Sequence, residues 1–177
     1  MLYWLLMFFL IIFPLFWLRA IKGYSWKKTI SDLLPEPKGW KKELTGSMKL
    51  LTLLLVAFVL LSVILTLLNL NDLDKVGDVI KGDLQSGILL YITLLVVIMF
   101  VEEFFFRAFL VKRTGVIIST IIFSIAHIGY GSIAEIIGVL VLGFIIAYWY
   151  KKNNSIIQTY TGHLMYNLIA IVLYLIF

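Results

Sequence analysis

Glu102, Glu103 and Arg107 stand inside Gly87–Val111, a stretch otherwise apolar enough to cross a membrane. By insertion scales, a charge at the centre of such a helix costs about 2.5–3.5 kcal/mol, so ionisable groups there point to function. The chain's two histidines, His127 and His163, also fall in apolar runs. On a helix, Glu103 and Arg107 are four residues apart and share a face, so the arginine can neutralise that glutamate. Glu102 is rotated from Glu103 by about 100° and is left without that partner. This division gives one structural carboxylate and one available for general acid–base work. His163 and Asn167 are also four apart, and together they can present two donors to a developing oxyanion. Phe123 and His127 repeat the spacing.

Depth brings these groups together. At about 1.5 Å per helical residue, Glu102 lies about 15 Å from Lys112, His163 about 16 Å from Lys152, and His127 about 18–21 Å from Arg113. Three separate apolar segments thus carry their polar groups at a similar level, near the bilayer middle or slightly to its inner side. Helix-to-helix glue is an adequate account of one intramembrane histidine. Glu102, Glu103, Arg107, His127, His163 and Asn167 at one level favour a shared site.

The elements that must position this site are apolar helices. The chain has 177 residues, of which 62% are hydrophobic and 14% charged. A soluble domain is nearer half apolar and about a quarter charged. The composition therefore predicts an all-α, polytopic membrane helical bundle, a single membrane domain over 1–177. Six candidate spans of suitable composition are Leu2–Leu18, Leu50–Leu70, Gly87–Val111, Val116–Ile128, Ile133–Tyr150 and Ile156–Phe177. The fourth is short and closes on Gly129-Tyr130-Gly131-Ser132, a helix-breaking sequence. No basic n-region precedes Leu2–Leu18, so it reads as a retained first span with its N-terminus outside. Without cysteine, disulfides, thiolate metal sites and cysteine nucleophiles are absent.

Lysine and arginine set the orientation. Residues 19–49 hold eight of the 15 basic residues and read as a basic cytoplasmic loop, with aromatic residues such as Trp26 and Trp40 at the headgroup level. Lys112-Arg113 and Lys151-Lys152 mark two further cytoplasmic ends, whereas residues 71–86 carry four aspartates and read as an outer loop. The net charge of +5 thus reports topology and contact with anionic lipid rather than nucleic-acid binding. Glu135, near the Gly129–Ser132 break, is expected at the outer interface. Thr93, Ser119, Thr120 and Ser124 are expected to bond their own helices. Gly138 and Gly143 should allow close helix contact, and Phe104-Phe105-Phe106 should serve packing. Asn153-Asn154-Ser155 reads as a turn and helix cap.

The motifs Glu102-Glu103-x-x-x-Arg107, Phe123-x-x-x-His127 and His163-x-x-x-Asn167 occur in order, each on its own predicted helix. They resemble the three signatures of the CAAX protease and bacteriocin-processing family (CPBP, or Abi), which includes the type II CAAX prenyl endopeptidases. The resemblance covers about 87–177, the motif-bearing region. It implies an intramembrane glutamate endopeptidase without a cofactor. Glu102 would activate water with help from His127, His163 and Asn167 would hold the oxyanion, and Glu103 and Arg107 would shape the site. It further implies a substrate that is a membrane-associated or lipidated peptide, with the active site toward the cytoplasmic side of the cell membrane. A zinc alternative would use Glu102, His127 and His163.

Other hydrolase signatures are missing. The chain has no His-Glu-x-x-His motif and no Gly-x-Ser-x-Gly elbow. Gly77-Asp78 and Gly82-Asp83 lie in the acidic segment rather than in a span, which argues against an intramembrane aspartate protease. Two non-hydrolytic readings use the same residues: a silent peptide-immunity or scaffold protein, and a proton-coupled transporter. An inverted repeat would favour the latter, and none is visible.

Overall fold

The computed structural model describes the backbone of residues 2–85 and 87–176, and the side chains of residues 5–85 and 87–173. Helix α1 (Leu2–Phe16) runs into a wide π-helical turn at Trp17–Ile21. Helices α2 (Trp26–Leu33), α3 (Trp40–Leu67) and α4 (Asp74–Leu84) follow. Helix α5 (Ile88–Glu102) passes into a second π-helical stretch, Glu103–Val111. Then come α6 (Lys112–Ile125), a tight 3-10 turn (Ile128–Tyr130), α7 (Ile133–Asn153) and α8 (Ile156–Ile176). No strand occurs among the described residues.

Trp40–Leu67, Ile133–Asn153 and Ile156–Leu173 are long and apolar enough to span a membrane, and Leu5–Ile21 is a shorter apolar helix. The stretch Ile88–Tyr130 is also apolar, at 43 residues, but it does not continue as one rod. Gly115 breaks it with φ 86° and ψ 175°, a conformation that only glycine adopts at little cost. The break divides it into two helical parts, and the fold is an all-helical membrane bundle of about six spans.

The elements outside the spans differ from the expected loops. Helix α3 begins at Trp40, well before Leu50, so it extends into the basic segment. That segment also contains α2, capped by Ser25 accepting from the Lys28 N–H at 3.3 Å. Asp32 of α2 pairs with Arg113, and its carbonyl accepts from Lys112 at 2.5 Å. The acidic segment contains α4, whose Val76, Gly77 and Ile80 turn inward while Asp74, Lys75, Asp78 and Lys81 face out. Counting charges alone concealed that apolar stripe. Ser86 and Phe177, at the ends of expected elements, lie outside the described residues.

Close helix contact rests on small residues. A methyl on Gly143 of α7 would come within 2.9 Å of the Phe123 ring on α6, and one on Gly162 of α8 within 3.0 Å of Leu50 on α3. Gly138, by contrast, has nothing within 4 Å of that position. Phe104, Phe105 and Phe106 are all buried in the core. Thr93 and Thr120 bond their own helices, at Leu89 O and Val116 O. Ser119 and Ser124 instead stitch neighbours together, donating to Phe106 O at 2.7 Å and Ile136 O at 3.1 Å. Asn154 takes the left-handed turn conformation with φ 45°, and Ser155 Oγ accepts from the Gln158 N–H at the start of α8.

Candidate active site

Glu103 begins the π-helical stretch, and its side chain is fully buried, as is that of Arg107. Arg107 Nε lies 3.5 Å from Glu103 Oε1. The guanidinium carbon sits 4.1 Å from the centre of the Phe123 ring, a cation–π contact. Its nitrogens have no hydrogen-bond acceptor among the described residues, so the carboxylate and the ring carry its compensation. His163, reaching across from α8, donates from Nδ1 to the same Glu103 oxygen at 2.9 Å. Two of the three motifs thus meet on one carboxylate, and Phe123 brings the third.

Glu102 is differently placed. Its side chain lines a cavity of about 660 Å³ that His127, His163 and Asn167 also line. Glu102 Oε2 is buried without a hydrogen-bond partner among the described residues. His127 donates from Nδ1 to the Phe123 carbonyl at 2.9 Å and stacks on Tyr130 with 16° between the rings. That bond fixes the ring by a proton on Nδ1 and leaves Nε2 uncommitted. Asn167 Nδ2 donates to the His163 carbonyl at 3.1 Å and approaches Met99 Sδ at 3.2 Å, a weak acceptor.

Glu102, His127 and His163 share the cavity but do not form a metal-binding set. No group of three or more His, Asp or Glu among the described residues is arranged to hold an ion. The zinc alternative therefore does not fit this arrangement.

Beyond the position expected for it near the Gly129–Ser132 break, Glu135 lies on the cavity wall, within electrostatic reach of both Glu102 and His127. The hairpin explains this placement. His127 lies two residues past the end of α6, just before the tight turn, and Glu135 is in the first turn of α7 just after it, so the antiparallel pair returns them to one level. Their similar distances from the Gly129–Ser132 break were a usable signal in the sequence. Gly138 is a correction: it lines the cavity, and of the two glycines Gly138 and Gly143 the second alone serves close helix contact.

The cavity wall is otherwise mostly apolar, with Leu95, Leu142 and Ile146 among its lining, and α4 contributes Val76 and Ile80. Asp72, just ahead of α4, ties this cover to the bundle. It accepts from Ser132 Oγ at 2.6 Å, the Ala134 N–H at 3.0 Å, the Ile133 N–H at 3.2 Å and Lys75 Nζ at 3.0 Å. The Ser132 hydroxyl, the Ala134 N–H and Lys75 hold its carboxyl well below the usual carboxylate range. Because this contact joins residues some 60 apart, sequence spacing gives no hint of it.

A family model described as type II CAAX prenyl endopeptidase Rce1-like matches residues 84–169, slightly under half of the chain. The match spans Glu102 to Asn167, and so all three motifs. No curated protein and no solved structure matches the chain. Residues 84–169 are thus similar to the type II CAAX prenyl endopeptidases, and the three motifs they carry converge on one cavity among apolar helices.

Proposed function

We propose that this protein is an intramembrane endopeptidase that hydrolyses a membrane-associated peptide, or a prenylated CAAX-type C-terminus, with water activated by Glu102. The observation that carries this reading is the contrast at one peptide bond. Each carboxylate keeps one buried oxygen without a hydrogen-bond partner, but the other oxygen of Glu103 is committed to Arg107 and His163, whereas Glu102 lines the cavity.

Each residue then has a physical task. Glu102 accepts a proton from water as its oxygen attacks the peptide carbonyl, and the new C–O bond moves the carbonyl electron pair onto oxygen. His127, fixed through Nδ1, offers Nε2 to position that water. His163 can donate from Nε2 while Nδ1 remains on Glu103 only when the ring carries both protons, and Glu103 is the counter-ion for that state. Asn167 can turn the proton now facing Met99 toward the oxyanion, a stronger acceptor. Collapse of the tetrahedral intermediate breaks the C–N bond, and Glu102 returns its proton to the leaving amine. Arg107 and Glu103 hold the floor of the site. The basic ends of the surrounding helices, Lys112-Arg113 and Lys151-Lys152, support placing the reacting level toward the cytoplasmic side.

Comparing peptide termini by mass spectrometry, in membranes from cells making wild type or Glu102→Gln, tests this reading without assuming a substrate. Termini found only with wild type are expected. Matching sets at equal protein levels overturn hydrolysis and favour a peptide-binding or immunity role for the same cavity.

A further inference from the structure

Where the start of α6 meets the end of α7, some cations are engaged and others are not. Arg113 pairs with Asp32, and Lys112 donates to the Asp32 carbonyl. Lys38 donates to the Asn153 carbonyl, and Glu43 accepts from Ser155 Oγ and from the Lys38 N–H. The two carboxylates in these contacts, Asp32 and Glu43, are therefore both occupied. Lys151 and Lys152 are exposed and make no ion pair or hydrogen bond among the described residues.

These two lysines stand at one end of a groove of about 800 Å³. Gly115, Ile117 and Ile118 of α6 line one side, and Phe144 and Tyr148 of α7 the other. The Gly115 break steps the backbone aside there, and the space beside that residue is open. Ile117, Ile118, Phe144 and Tyr148 are exposed, and the last two rings lie nearly parallel, 12° apart in plane. Phe144 is two helical turns from the lysines, about 10–12 Å along α7. No carboxylate lines the groove among the described residues.

We propose that this groove binds one anionic phospholipid, with its phosphate at Lys151 and Lys152 and an acyl chain along Ile117, Ile118 and Phe144. The positive-inside tendency accounts for two lysines at the end of a span, but not for an apolar groove leading away from them. A free phosphate meets the ammonium groups and leaves the walls uncovered. A zwitterionic lipid covers the walls but brings its own cation to two others. An anionic amphiphile satisfies both ends, and basic pockets between membrane helices hold such headgroups. The bound lipid joins the start of α6 to the end of α7. It thereby fastens the open end of the hairpin whose turn lies between His127 and Glu135.

The test uses the full chain and native mass spectrometry, with phosphatidylglycerol and phosphatidylcholine of identical acyl chains offered in equal amounts. Wild type should retain one phosphatidylglycerol about twentyfold over phosphatidylcholine, at roughly fivefold per lysine. Lys151→Gln/Lys152→Gln should bring the two lipids near parity. Lys41→Gln/Lys42→Gln, which removes the same charge from the start of α3, should keep the preference. Inorganic phosphate should not displace the lipid. Equal retention of the two lipids by wild type overturns the inference, whether or not the groove variant folds. Displacement by inorganic phosphate overturns it in favour of a plain anion site. An equal loss in both double variants overturns it in favour of diffuse attraction to the membrane.

Discussion

Glu102 and Glu103 are adjacent in the chain and lie in two different regions. Beneath the cavity, Glu103, Arg107 and His163 form a closed floor in which each charge has a specific neighbour. In the cavity above, Glu102, His127 and Glu135 share space, and Glu102 keeps an unpartnered oxygen. The difference teaches where this membrane protein spends its polarity. Charge in the floor is compensated and therefore structural. Charge in the cavity is left available, as the proposed chemistry requires. Substitutions in the two regions should separate stability from activity.

The largest effect is expected in the floor. Arg107→Ala leaves Glu103 buried beside His163 alone, and removing one partner of a buried pair typically costs about 3–5 kcal/mol. Thermal unfolding in detergent should show this as a large fall in Tm, whereas Glu102→Gln should stay within about 0.5 kcal/mol of wild type. An equal loss from both would erase the distinction between floor and cavity.

Next comes a comparison between two glycines of one helix. Gly143→Leu drives a side chain into the Phe123 ring, and overpacking of this kind costs about 1–3 kcal/mol. Gly138→Ala meets nothing and improves helix propensity by about 0.5–1 kcal/mol. Chemical denaturation of the two variants should move in opposite directions. Because Gly138 lines the cavity, its replacement by leucine should instead alter which peptides are cleaved.

The smallest effect belongs to the cover. Asp72→Asn weakens the contacts to Ser132 and to the first N–H groups of α7, so Tm should fall modestly at neutral pH. The sign with pH follows from the lowered carboxyl. Its stabilisation is present above its ordinary value of 3.8 and is lost as pH falls toward the depressed folded value. The Tm gap between wild type and Asp72→Asn should therefore be widest near pH 7 and narrow below about pH 4. A gap independent of pH would mean that packing, not charge, fastens α4.

Much of this organisation was legible in the sequence. Six apolar segments and three motifs gave the membrane bundle and the residues that converge, because hydrophobic length and four-residue spacing are local properties. The pairing of Glu103 with Arg107, and the freedom of Glu102, followed from helical rotation alone. What escaped was long-range or concealed by charge. Asp72 reaches α7 across a large sequence separation, and α4 was obscured by its aspartates. Glu135 required recognising that a tight turn carries it back beside His127.

The π-helical stretch Glu103–Val111 carries a further consequence, an evolutionary one. Pairing each N–H five residues back, instead of four, accommodates a surplus residue in the turn. Such a stretch can absorb a one-residue deletion by tightening to an ordinary α-helix, with no loop to shorten. Because the surplus residue is taken up locally, the helix on either side keeps nearly the phase it had, and Glu102 stays turned toward the cavity. Loss of one codon here would thus leave an intact membrane bundle, a route by which the length of the chain can drift beside the site without passing through an unfolded intermediate.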